Sequence, residues 1–200
     1  MTGASRTPMR RILCSIAAAR LVLNIAACDA NTPLEPTVDR ATQQFNELKE
    51  RPDIDQAVAR YEEMYTSVRQ QLTAAFPFLQ WQQTQAPGGA ACGSEFAALD
   101  TGSRQDAVIR GLGNWMAPGN LPDAQWDRAV SIVDTVVRSY GFNSGPIRVV
   151  NRPSDHEVDF YDSYQAELVF GTAVNTTMTF ITGCHLTAEA KKRGYPAQTY

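Results

Sequence analysis

Apolar residues recur at steps of three and four over two stretches of this chain, and at alternate positions over its last third. From residue 54 to about 75, Ile54, Val58, Tyr61, Tyr65, Val68 and Leu72 form one stripe at helical spacing, the mark of a helix that covers a single surface. Asp53, followed three residues later by Gln56, predicts a capping box at its start, and Pro77 halts it. Residues 122–140 repeat the pattern with Trp126, Val130, Val133, Val137 and Tyr140. Asn120 is the expected cap, Pro122 falls in the first turn and Gly141 stands where a helix-ending glycine belongs. A shorter helix over 37–49 puts Ala41, Phe45 and Leu48 on one side.

Strands supply the surface these helices cover. Residues 79–83 and 107–113 flank a Gly/Ala/Cys-rich loop, and 147–151, 157–162, 165–171 and 174–181 follow the second long helix. The last three alternate: Val158 and Phe160, then Ala166, Leu168 and Phe170, then Val174, Met178 and Phe180. Glu157, Asp159, Glu167, Thr177 and Thr179 occupy the opposite face, which suits an antiparallel sheet with one wet side. Tight connections at Ser163-Tyr164 and around Thr172-Ala173 make a meander. The predicted class is α+β in two layers, an antiparallel meander sheet with two main helices packed on one face.

The N-terminal region has a separate logic. Arg6, Arg10 and Arg11 precede an apolar run interrupted by Arg20, and the run closes on Ile25-Ala26-Ala27-Cys28. Two small residues before a cysteine read as a lipobox, with cleavage between Ala27 and Cys28 and acylation of the Cys28 thiol by diacylglyceryl and palmitate-class chains. Met9 makes a tidier start than Met1, and export follows from either. Two rival readings are an uncleaved anchor and an ordinary secretory signal ending at Cys28. The run over 12–27 is shorter than the roughly 20 apolar residues a spanning helix needs. Expected boundaries are a leader over 1–27, a lipidated N-terminus and proline-bearing spacer over 28–36, one domain over 37–186, and a polar, fraying tail over 187–200.

Charge follows cleavage. The chain carries −3, and removing the four arginines of an acid-free leader leaves −7. An acidic domain is unsuited to nucleic-acid phosphates or anionic headgroups, so membrane attachment is expected from two or more acyl chains instead. Of four cysteines, Cys14 lies in the leader and Cys28 is taken by lipid. Cys92 and Cys184 remain, and in an oxidising compartment they are expected to form a disulfide. Zinc is the alternative, weakened by the lack of any Cys-x-x-Cys spacing.

Several short motifs occur in a shared order. They are the lipobox 25–28, Phe76-Pro77-Phe78-Leu79-Gln80-Trp81, Ala91-Cys92-Gly93, Leu121-Pro122-Asp123-Ala124-Gln125-Trp126, Tyr140-Gly141 and Ile181-Thr182-Gly183-Cys184. In these the chain resembles the LppA/LppV-type lipoproteins of mycobacteria, a group without an assigned biochemical role. The resemblance implies a place in the cell envelope, on the extracytoplasmic face, and carries no activity with it.

Candidate chemistry is sparse. Asp155-His156-Glu157 heads the densest run of potential metal ligands, but alternation sends His156 and Glu157 to opposite faces, and a solvated strand edge is the expected reading. His185 beside Cys184 would polarise a thiolate only if that cysteine were free. No Gly-x-Ser-x-Gly elbow occurs, Gly111-Leu112-Gly113-Asn114 lacks the phosphate-loop lysine, and Asn175-Thr176-Thr177 is a glycosylation sequon inside a strand. Trp81, Trp115 and Trp126 are the possible ligand contacts, with Trp115 expected partly exposed in a loop. No catalytic residue, metal ligand or cofactor is expected. The leading expectation is a non-enzymatic binding or interaction module with an envelope protein or lipid as partner. The alternative is a carrier or sensor holding an apolar ligand between helices and sheet.

Overall fold

Asp53 begins the longest helix as its spacing with Gln56 requires. Its carboxylate accepts the Gln56 backbone N–H at 2.9 Å, while the Gln56 side chain accepts the Asp53 N–H at 3.2 Å. The computed structural model describes residues 37–100 and 105–198. The leader, Cys14, Cys28 and the spacer up to Pro36 lie outside the described residues. In chain order come α1 Thr37–Lys49, α2 Ile54–Ala75, β1 Gln82–Gln85, β2 Gly88–Ala90, β3 Ala107–Gly111 and β4 Asn114–Pro118. Then follow α3 Asp123–Arg138, β5 Ile147–Arg152, β6 Asp155–Tyr161, β7 Glu167–Thr172, β8 Asn175–Ile181, β9 His185–Leu186 and α4 Ala188–Arg193.

The nine described strands pair antiparallel. β5, β6, β7 and β8 form the expected meander, and β4 then β1 continue the sheet beyond β8. Register places Val158, Phe170, Met178 and Trp115 in one row and Phe160, Leu168 and Phe180 in the next. These side chains share one face, and α2 and α3 cover it. Phe180 lies among Tyr61, Tyr65 and Phe142, with ring centroids 5.0, 5.8 and 6.2 Å away. Tyr65 ties helix to sheet through its hydroxyl, which donates to the Met178 carbonyl at 2.7 Å.

A second, smaller core sits beside the first. Ala41, Phe45 and Leu48 of α1 are buried against Phe96, Leu99, Leu186, Ala190 and the Cys92–Cys184 pair. Those cysteines are joined in a disulfide, with Cα atoms 5.4 Å apart across a separation of 92 positions. Arg51, between α1 and α2, donates to the Cys184 carbonyl at 3.2 Å and lies over the Phe96 and Tyr164 rings. Gly183 permits the chain to pass here: a Cβ on it would lie 1.7 Å from the Tyr164 carbonyl oxygen.

Several expectations need correction. The strand expected at 79–83 starts at Gln82, because Leu79 is buried under the turn that follows Pro77 and β1 is entirely polar. The run 107–113 is a strand that ends at Gly111, and a further strand, β4, follows it. Asn120 does not cap α3. Its amide donates to the carbonyls of Ser154 and Ala173, and α3 starts from Pro122 without a side-chain cap. Val174 is 84% exposed in the β7–β8 turn, so the inward series of β8 begins at Thr176. From Thr187 to Gln198 the described chain is tied down and not frayed. Thr187 caps α4, Arg193 pairs with Asp106, and the Ala197 N–H donates to Asp106 at 2.7 Å.

Candidate functional site

His156 is buried and not at a solvated edge. Alternation along β6 turns it inward with Val158 and Phe160 and sends Glu157 outward. Its Nε2 lies 3.1 Å from Asp123 Oδ1 and its Nδ1 lies 3.0 Å from Asn151 Oδ1. The Ser154 N–H also donates to Asp123 at 2.8 Å, and this bond, then the His156 contact, holds the Asp123 carboxyl below its ordinary range. Trp126 stacks on His156 and on Phe170, each at 5.1 Å. The cluster therefore joins the start of α3 to the meander. Among the described residues no group of three His, Cys, Asp or Glu side chains is placed to hold a metal ion.

His185 is fully buried beside the disulfide, so it has no free thiol to polarise. Its Nδ1–H donates to the Pro52 carbonyl at 2.9 Å. Burial pushes its pKa below the ordinary 6.5, Arg51 and Lys191 push the same way, and the Pro52 bond and Asp162 oppose them. The folded state thus keeps this imidazole neutral. Its contribution to stability is complete above pH 6.5 and is lost as the pH falls from there toward the depressed folded value. Denaturant titrations across pH 7.5 to 5 should show this slope, and His185→Gln should flatten it. Parallel slopes in the two proteins would refute the assignment.

The three tryptophans separate into two places. Trp126 is filled in by its stack. Trp115 is half-buried on β4, on the helix-covered face and not in a loop, and Arg69 of α2 lies over its ring at 4.0 Å. Trp81 and Arg69 line one surface depression with Gln70, Thr73 and Ala74. Sequence reasoning missed Arg69. The available signal is its place four residues after Tyr65, on the apolar side of α2, where Leu or Val would complete the stripe.

The other sheet face is not covered by α2 or α3. Ile147, Asp159, Val169 and Thr179 form one row across it, and Tyr161, Glu167 and Ile181 the next. The Tyr161 hydroxyl donates to Glu167; that bond, then burial, raises the Tyr161 pKa. Partial burial, with the Glu167 charge added, raises Asp159. Glu157, Asp159 and Glu167 have no Lys or Arg ion-pair partner among the described residues. This surface suits recognition of a cationic group, and neither histidine lies on it.

Taken together, helices on one face of a meander and a disulfide-tied side core define a two-layer α+β domain. The chain belongs to the LppA family, described as a lipoprotein confined to pathogenic Mycobacterium, whose family model matches residues 30–188. Among solved structures it is similar to the lipoprotein LppA from Mycobacterium tuberculosis, with a TM-score of 0.59 and 16% identity over 76% of this chain and 89% of that one. It is also similar to a DUF4853 family protein from Actinomyces odontolyticus, with a TM-score of 0.51 and 15% identity over 70% and 72% of the two chains. At these identities the structures show the shared fold. No curated protein matches the chain. Membership of a lipoprotein family brings association with the cell envelope, and no helix among the described residues is long and apolar enough to cross a membrane.

Proposed function

We propose that this chain is an exported lipoprotein, held at the extracytoplasmic face of the cell membrane by an acylated Cys28, whose domain is a non-enzymatic interaction module. The observation that carries the reading is the Cys92–Cys184 disulfide in a chain of a lipoprotein family, since such bonds persist in oxidising compartments. The lipobox motif supplies the attachment point. The module's working surface is the sheet face bearing Glu157, Asp159 and Glu167, and its partner presents lysine or arginine to it.

The test has two arms. Intact-mass analysis of the membrane fraction should find a protein that begins at acylated Cys28, and Cys28→Ala should abolish processing and membrane retention. A Glu157→Lys, Glu167→Lys variant with normal anchoring should lose its salt-sensitive crosslinks to a basic envelope partner. An unmodified full-length protein in the cell interior with reduced thiols would overturn the anchor. Unchanged crosslinks would overturn the surface. The carrier alternative, with its ligand between helices and sheet, has less support, because Trp126 is enclosed by His156 and Phe170.

A further inference from the structure

The sheet face turned away from α2 and α3 is apolar as well as acidic. Val150, Glu157, Gly171, Thr177 and Met116 form a third row beside the two described above, and no lysine or arginine stands in any of the three. Ile147 on β5 is 49% exposed and Ile181 on β8 is 44% exposed, with half-buried Val169 on β7 between them. Single exposed aliphatic residues are ordinary. These three lie in adjacent rows around Asp159 and Glu167 and so form a patch. The two carboxylates converge on one point: the Tyr161 hydroxyl donates to Glu167 and lies 3.4 Å from Asp159 Oδ2. One hydroxyl proton serves one of them at a time.

We propose that this face docks a cationic amphipathic helix of a partner protein, an inference that rests on the reading of the face as the module's working surface. Charge decides between occupants. A second copy related by two-fold symmetry would set the same carboxylates against themselves, and the spacer over 29–36 carries Asp29 and Glu35 and no cation. Anionic headgroups are repelled by the same charges. A lysine or arginine answers both halves of the surface, because its aliphatic stem lies along apolar residues while its head reaches a carboxylate. Shape decides for a helix. An extended segment laid flat on a sheet face leaves its backbone groups without partners, whereas a helix bonds its own. From β5 to β8 the face is three inter-strand spacings wide, about 14 Å, which admits one helix of about 10–12 Å. The opposite face of the same sheet is already covered in this way by α2 and α3.

The probe is a labelled peptide of two repeats of Lys-Leu-Ala-Lys-Leu-Ala-Lys, amphipathic as a helix, titrated by fluorescence anisotropy with the full, unacylated chain, its disulfide intact. Oligolysine with the same number of lysines carries the charge alone, and a shuffled isomer spreads the leucines around the helix. The amphipathic peptide should bind about tenfold tighter than oligolysine. It should still bind in about 0.5 M salt, which screens the charge-only contact. Ile147→Ser with Ile181→Ser should bring its affinity to within about threefold of oligolysine. Both side chains are exposed, where substitutions are generally tolerated. Glu157→Lys with Glu167→Lys should weaken both peptides. If oligolysine or the shuffled isomer binds as tightly as the amphipathic peptide, the docked helix is overturned and the acidic surface stands. If neither peptide responds to the glutamate pair, the surface falls and the docked helix with it. A dimer in sedimentation that the serine pair dissolves would give the face to a second copy. Attachment to phosphatidylcholine vesicles that the serine pair abolishes would give it to lipid, and either result overturns the proposal.

Discussion

Replacing Cys92 and Cys184 with serine is expected to lower the unfolding free energy by about 4–5 kcal/mol, the chain-entropy value for a loop of this length. That is a large share of the roughly 5–15 kcal/mol available to an ordinary domain. The bond joins residues 92 positions apart and encloses β3 through β8 with α3, so its removal returns freedom to most of the unfolded sheet. It also crosses the side core, and α1 should lose protection from hydrogen exchange before α2 and α3 do. Urea titrations of the oxidised, reduced and double-serine proteins check this. Coincident midpoints would show that the bond adds nothing.

Phe180→Ala should cost about 3–5 kcal/mol, as is usual when a large aromatic is removed from a close-packed core. The ring is buried and touches aromatic residues on α2 and on the segment after α3, so the cavity cannot close without separating helix from sheet. Phe180→Leu keeps most of the volume and should cost less than half as much. Thermal and denaturant unfolding of the two variants gives the comparison, and a loss below about 1 kcal/mol for alanine would mean that the layers collapse onto the gap.

Where one physical signal determined an element, the sequence displayed it. α1 and α2 occupy the expected spans: each shows an apolar stripe, and in α2 the cap and the terminating proline agree with it. The β6–β8 alternation gives the meander and its inward face, apart from Val174. β1 reads three residues early and β4 is hidden because neither alternates: β1 is all polar and exposed, and β4 ends in proline. Their places come from pairing with β4 and β8, which is long-range information. The same applies to sites. His156 reads as an edge residue until Asp123 and Trp126 arrive from α3. Arg69 reads as a solvated helix arginine until β4 brings Trp115 against it. The disulfide was legible because only two cysteines remained once Cys14 of the leader and the lipobox Cys28 were set aside.

β5 closes one border of the sheet, and its register slips between Arg148 and Val150. Arg148 reaches back to Asp127 on α3 at 2.7 Å, and Arg152 pairs with Asp155. A kinked border carrying cations is a poor template for a neighbouring strand. For copies tethered side by side in a bilayer, as proposed above, ribbon growth from border to border is the hazard of an open sheet border. Arg148, Arg152 and the slipped register oppose strand-to-strand joining of such neighbours along this border.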